Sequence, residues 1–230
     1  MTMLTSNPVF GIFLTLVVYR GMIHLKNKFN YPLNNPLLTG IISIIFILSV
    51  FRIPYENYKA GGDYIHFFLG PATVILAVPL YKQLDLLKKN LLPILTGVFA
   101  GSLFALILIG FLSKIFGFDQ MLTASLLPKS VTMPIGIEVA DSLGGISSIT
   151  VISIVVTGII GAVFAEKILL LFRIKDKVAQ GISIGTASHA LGTTKAIEMG
   201  EVQGGMSGLA IGLAGFFTAL MAPFILTLFF

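Results

Sequence analysis

The chain has 230 residues, of which 56% are hydrophobic and 11% charged, with a mean hydropathy of +0.97 and a net charge of +5. A soluble domain carries roughly 25% charged residues because its surface faces water, so this composition excludes a soluble globular enzyme, a disordered regulator and a coiled coil. With no cysteine, a disulfide framework, thiol nucleophiles and thiolate metal sites are excluded as well.

The charges fall between apolar runs. No Asp, Glu, Lys or Arg occurs before Arg20, nor in residues 33–51, 64–81, 91–113, 142–165 or 202–230. Each run approaches or exceeds the ~20 residues that a helix needs to cross ~30 Å of hydrocarbon. Two less clean candidates are residues 120–137, interrupted by Lys129, and 178–194, rich in Gly, Ser and Thr. The expectation is an all-α polytopic membrane protein of about seven or eight membrane segments, two of them broken or re-entrant, because lipid leaves backbone groups unsatisfied outside helices. Residues 1–230 form one transmembrane domain in this reading. The first segment lacks the charged start and cleavage site of a secretory signal and is expected to be retained.

Lysine and arginine in the connectors set the orientation. Connector one has Arg20, Lys26 and Lys28; connector three has Lys82, Lys88 and Lys89 against Asp85; connector six has Lys167, Arg173, Lys175 and Lys177 against Glu166 and Asp176. These three belong on the cytoplasmic side. Connector two (Arg52, Glu56, Lys59, Asp63), four (Lys114, Asp119), five (Glu138, Asp141) and seven (Lys195, Glu198, Glu201) are balanced or acidic. Three segments lie between connectors three and six, so one must enter and leave by the same face. Segment five is the candidate.

Internal similarity at an offset of 115 residues places Gly70-Pro-Ala-Thr73 over Gly185-Thr-Ala-Ser188 and Gly97 over Gly212. With the charge argument, this suggests an inverted repeat with halves 1–115 and 116–230, as in many secondary transporters.

Segment five reads Ser125-Leu-Leu-Pro-Lys-Ser-Val-Thr-Met-Pro-Ile-Gly136. Pro128 and Pro134 each remove a backbone donor and should break the helix. Lys129 lies roughly 15 Å from either end by helix rise, too deep to snorkel, and an intramembrane lysine indicates function. The bland alternative is a lysine at a hairpin tip near the headgroups. Ser130 and Thr132 add hydroxyls. Segment seven reads Gly181-Ile-Ser-Ile-Gly-Thr-Ala-Ser-His-Ala-Leu-Gly-Thr-Thr-Lys195 and should break at Gly185 and Gly192. Ser188, His189, Thr193 and Thr194 could line a site there. Alternatively, the small residues only pack helices and His189 donates to a carbonyl. Asn35, in Asn34-Asn-Pro-Leu-Leu-Thr-Gly40, is a further cavity candidate, although Pro36 could simply start a helix. Pro71 and Pro79 should kink segment three, and His66 reads as a boundary residue.

No catalytic residue, metal site or cofactor is expected. Ser188 and His189 are adjacent and would point apart on a helix, no segment holds paired carboxylates, and the histidines lack metal-ligand spacing. Nineteen phenylalanines without tryptophan suit lipid contact and not a nucleic-acid stacking platform.

Leu127-Pro-Lys-Ser-Val-Thr-Met-Pro-Ile135, Gly185-Thr-Ala-Ser-His-Ala-Leu-Gly-Thr-Thr194, Asn35-Pro-Leu-Leu38 and Pro79-Leu-Tyr81 together resemble the LrgB/CidB family of antiholin-like membrane proteins. Met133 stands where the family usually has a second threonine. The resemblance implies either modulation of murein hydrolase activity and autolysis with a small holin-like LrgA-type partner, or transport, since plastid relatives exchange glycolate and glycerate and some bacterial pairs move pyruvate. The residues suit a carrier for a small monocarboxylate in the cell (inner/plasma) membrane, and a homodimer is expected. Lys129 would hold the carboxylate, aided by helix ends at Pro128 and Pro134, the hydroxyls would bind it, and His189 could carry a coupling proton, its ordinary pKa being ~6.5.

Overall fold

The computed structural model describes residues 5–28, 36–68, 71, 81 and 84–230, and its described residues are helical or in turns. Two compact units divide the chain, Met1–Ile75 and Leu76–Phe230.

The first unit holds α1 (Pro8–Lys28), α2 (Pro36–Val50) and α3 (Tyr55–Phe67). Pro36 starts α2, where a missing N–H costs nothing. Glu56, Lys59 and Asp63, expected in a connector, belong instead to α3, which packs on α1. The cause is a glycine pair: a Cβ on Gly11 would come within 3.0 Å of the Gly61 Cα, so the two backbones touch. Thr15 and Tyr58 share a hydrogen bond of 3.0 Å across the same contact. Asn35, and most of the segment with Pro71 and Pro79, lie outside the described residues.

The second unit holds α4 (Leu84–Lys89), α5 (Leu91–Ile115), α6 (Gln120–Leu126), α7 (Met133–Ser142), α8 (Ser147–Leu171), α9 (Lys177–Met199) and α10 (Glu201–Phe229). Helices α1, α5, α8 and α10 are long and apolar enough to cross a membrane. α5 and α10 run in the same direction. Ile94 and Val98 pack with Met206 and Ala210 near one end, and a Cβ on Gly110 would meet the Phe229 ring near the other.

α9 does not run straight. His189 has φ 43° and ψ −144°, outside the helical region, and the chain folds back there. A Cβ on Gly192 would lie 3.1 Å from Ile184 Cγ2, eight residues earlier, which a continuous helix would hold about 12 Å away. Ala196 likewise shares a buried cluster with Ile184 and Leu169. α9 is therefore a helical hairpin whose second arm returns beside its first, and Lys195 reaches Glu166 on α8 at 2.9 Å.

α6 and α7 form a second hairpin, turned at residues 127–132. Gly136 on the returning arm lies against the Pro128 carbonyl, and Gly145 just beyond α7 packs on Ser125 of the first arm. Ser125 pins this hairpin to α8: its Oγ accepts from the Ile146 N–H at 2.7 Å and its carbonyl from the Thr150 hydroxyl at 2.9 Å.

Because α9 turns back, α10 starts from the same end as α5. The pairing of segments four and eight as inverted equivalents at an offset of 115 residues is thus corrected: the two helices are parallel. α5 plus the α6–α7 hairpin and α8 plus the α9 hairpin share several local features. Both long helices have 25 residues. Both close with a left-handed residue, Gly117 (φ 68°) and Arg173 (φ 56°), and matching bonds, Phe118 N–H to Ser113 O and Ile174 N–H to Leu169 O, each 2.9 Å. Both next helices begin with an aspartate cap, Asp119 accepting from Leu122 N–H at 2.7 Å and Asp176 from Ala179 N–H at 2.8 Å. Ser188 and His189 of α9 lie against Gly161 and Gly158 of α8, so α8 runs antiparallel to the first arm of α9. The α9 arm is parallel to α10, Gly181 meeting Gln203 and Gly185 meeting Ser207. α8 consequently runs antiparallel to α5, and the two hairpins enter the bundle from opposite ends.

Candidate functional site

The two hairpin tips meet beside Ile154, a residue with no exposed surface. A Cβ on Gly136 of the α7 arm would overlap its side chain, and His189 Nε2 donates to its carbonyl at 2.9 Å. Two glycines on α8 make room for the second tip. A side chain on Gly158 would strike the His189 ring, and one on Gly161 would overlap the Ser188 hydroxyl. Small residues of this kind let helices approach closely in lipid, where packing, not hydrophobicity, drives association.

Lys129 sits at the first tip, where Pro128 has no N–H to continue the helix. The turn is held by Lys129 N–H to Leu126 O at 3.1 Å and Val131 N–H to Pro128 O at 3.3 Å. The Lys129 ammonium donates to Ser130 Oγ at 3.2 Å, and no carboxylate among the described residues pairs with it. Lys129 lines two cavities. One, of about 590 Å³, lies between α5 and the first arm of α9 and is lined by Lys129, Ser130, Ser183, Thr186, Asn90 and Asp176. The other, of about 470 Å³, lies between α8 and the same arm and adds Thr157 and Ser188 to a mostly apolar wall. Lys129, Ser183 and Ala187 border both. Asp176 is the acid in the larger cavity, and its carboxylate is engaged in capping α9, ten residues of chain before Thr186.

The residues singled out in the sequence separate accordingly. Lys129, Ser130 and Ser188 line a cavity. Thr132 stands at the start of α7 without capping it through its side chain. His189 is buried and satisfied by the Ile154 carbonyl, which matches the packing alternative for this residue. Thr193 is wholly buried and bonds the His189 carbonyl at 2.9 Å and Ser207 Oγ at 2.7 Å, tying the tip to α10. Thr194 is exposed and bonds Leu191 O. Pro128 lies in the first turn, whereas Pro134 occupies the first turn of α7, where proline is tolerated. The second break falls at His189, not at Gly185 or Gly192. Those glycines are helical and admit neighbours, Gly185 the Ser207 carbonyl and Gly192 the Ser188 side chain. Sequence reasoning passed over Thr186, Ser183 and Thr157, and only the placement of α8 and α9 around the cavities that Lys129 borders identifies them.

The unit offers no cluster of His, Cys, Asp or Glu able to hold a metal among the described residues. A cation without a carboxylate partner among the described residues, bordering two cavities with hydroxyls in their walls, is suited to holding a small anion.

Comparison with known proteins agrees with the resemblance noted in the sequence. The LrgB-like family model matches residues 15–228. The chain is 40% identical over 218 residues to an uncharacterized protein, YxaC, of Bacillus subtilis (strain 168), covering 95% of each chain. It is 36% identical over 220 residues to the antiholin-like protein LrgB of Bacillus cereus (strain B4264), covering 95% of this chain and 96% of the relative. The same identity and coverage hold for the antiholin-like protein LrgB of Bacillus anthracis (strain CDC 684 / NRRL 3495). No solved structure matches the chain. With its four long apolar helices, the chain is a membrane protein of the LrgB-like family.

Proposed function

We propose that this protein is a multi-pass carrier in the cytoplasmic membrane for a small 2-hydroxy or 2-oxo monocarboxylate. The observation that supports this most is Lys129, a cation without a carboxylate partner among the described residues, at a hairpin tip that borders two cavities. An uncompensated charge at membrane depth costs about 2.5–3.5 kcal/mol on insertion scales, and a bound anion offsets that cost in a way a purely structural lysine would not. Cavities of this volume hold a small carboxylate together with its bridging waters.

The larger cavity extends toward Asn90 and Asp176, next to Lys88, Lys89, Arg173 and Lys175. The positive-inside rule assigns that end to the cytoplasm. In this reading the α6–α7 hairpin is re-entrant from the outer face and α9 from the inner face. The outward route is closed at the tips by the His189–Ile154 and Thr193–Ser207 bonds. Substrate enters from the cytoplasmic cavity, exchanges its water for the Lys129 ammonium and the neighbouring hydroxyls, and leaves when the tips part. His189 would have to leave the Ile154 carbonyl before carrying a proton, so a proton-coupled cycle requires that bond to open.

The names of the relatives favour a second reading more directly: an antiholin-like regulator of murein hydrolase activity that acts without carrying a defined solute. A holin-like membrane partner and a homodimer belong to either reading. Neither reading assigns the chain a catalytic group. Reconstituted protein separates them. A carrier accumulates labelled lactate, glycolate or pyruvate above empty liposomes while retaining a trapped dye. A regulator or pore gives no saturable uptake, and its expression changes autolysis even when Lys129 is replaced.

A further inference from the structure

We propose that Thr186 is the second substrate-binding residue, donating to or accepting from the oxygen on the carbon next to the carboxylate held by Lys129. This inference rests on the carrier reading and names the feature of the substrate that the site distinguishes.

Three independent observations converge on this residue. First, Thr186 lines the larger cavity together with Lys129 and Ser130. Second, its hydroxyl is buried and has no hydrogen-bond partner among the described residues, the residue being only 8% exposed. Several helical hydroxyls in this unit are satisfied by the carbonyl four residues back: Thr123 bonds Asp119 O at 2.8 Å, Ser183 bonds Ala179 O at 2.7 Å and Thr193 bonds His189 O at 2.9 Å. Thr186 departs from that habit because its methyl is seated against Gly101 of α5, where a Cβ would lie only 3.1 Å from it. A buried hydroxyl without a partner loses its hydration and regains nothing until another polar atom arrives. Third, Thr186 and Lys129 hold matching chain positions in the two hairpin segments. Each stands ten residues after the aspartate that caps its hairpin, Asp119 for Lys129 and Asp176 for Thr186. The first hairpin thus contributes a cation from its turn, and the second a hydroxyl from its first arm, three residues before the break at His189.

The other buried hydroxyl without a partner, Ser102, does not share these features. It lies on the buried face of α5 with Val98 and Leu106 and does not line either cavity.

A 2-hydroxy or 2-oxo acid has a carboxylate for the ammonium and, one bond away, an oxygen able to exchange a hydrogen bond with Thr186. Propionate and acetate have only the carboxylate. A site that satisfies a buried hydroxyl only with the correct substrate discriminates against an analogue lacking that oxygen.

The test uses full-length protein in proteoliposomes, with initial uptake rates of labelled lactate and propionate measured separately. Wild type should prefer lactate. Thr186→Val should lower that preference by about 5- to 10-fold, the loss of one neutral hydrogen bond, leaving propionate uptake unchanged. Thr186→Ser should keep the preference. Thr186→Ala provides a second variant should the valine disturb α9, with the same expected shift. The inference is overturned if whichever of the valine and alanine variants folds keeps the wild-type preference, or loses uptake of both acids equally. Wild type that carries both acids without preference also overturns it but leaves the carrier reading standing. Wild type that carries neither overturns the carrier reading itself.

Discussion

The two hairpins solve the same problem with different residues. The α6–α7 hairpin is turned by a proline that removes a donor, and it carries a charge at its tip. The α9 hairpin has no proline, is turned at a non-glycine residue with positive φ, and presents hydroxyls. The first is anchored by two hydrogen bonds that Ser125 accepts from Ile146 and Thr150, together with the approach of Gly136 to Ile154. The second is anchored by backbone approach, with Gly158, Gly161, Gly181 and Gly185 each admitting a neighbour that a side chain would displace. Lipid makes these two modes unequal. Interhelical side-chain hydrogen bonds in membranes average about 0.6 kcal/mol, whereas overpacking a tight contact costs roughly 1–3 kcal/mol. The uncharged hairpin should therefore be the more sensitive to small changes in volume, and the charged one to changes in function.

Four outcomes would break or sharpen this contrast. The largest effect is all-or-none. Single cysteines replacing Gln120 and Ser142 should label from one face of the membrane, and cysteines replacing Lys177 and Met199 from the other. Labelling of Gln120→Cys and Ser142→Cys from opposite faces removes the re-entrant hairpin. Next, Gly161→Val should overlap Ser188 and cost about 2–3 kcal/mol, read as a large drop in melting temperature or loss of monodisperse protein in detergent. An unchanged melting temperature would mean that this contact is loose. Ser125→Ala strands the Ile146 N–H and the Thr150 hydroxyl loses nothing, since its acceptor is the backbone carbonyl. The expected loss is about 1–2 kcal/mol, typical of leaving one donor unsatisfied, with a correspondingly smaller shift in melting temperature. Thr193→Val removes the bond to Ser207 and should cost only about 0.6 kcal/mol. A cost near that of Gly161→Val would indicate that hydrogen bonding and not packing holds the second hairpin.

Much of the charged hairpin was legible in the sequence. Pro128 announces a break, and Lys129 stands out because nothing else charged lies so deep in an apolar run. The run free of charge from residue 91 to 113 became α5 with two further residues, and the segment that the connector charges singled out as turning back, residues 120–142, forms the α6–α7 hairpin. The reversal of α9 was less legible. Gly185 and Gly192 carry the usual signal for a break, but they serve close packing, and the turn falls on His189, whose residue type gives no warning. That reversal also sets the direction of α10. Glycine matches at an offset of 115 residues pair two helices that run in parallel. The two helix–hairpin pairs share little in sequence beyond a phenylalanine at each long helix end, Phe116 and Phe172, and the capping aspartates Asp119 and Asp176. Turn geometry conserves such a pattern without conserving side chains, so composition and glycine spacing do not reveal it. Thr186 was hidden for the same reason: within its motif it is one small polar residue among several, and its significance comes from Gly101 on another helix.

The most direct test of the account is the initial rate of labelled lactate uptake into proteoliposomes containing equal amounts of folded wild type and Lys129→Ala. The account expects saturable uptake by wild type and a reduction of at least about 10-fold in the variant, the loss of a charge-assisted contact in a water-poor site. Saturable uptake at equal rates by the two proteins would contradict it.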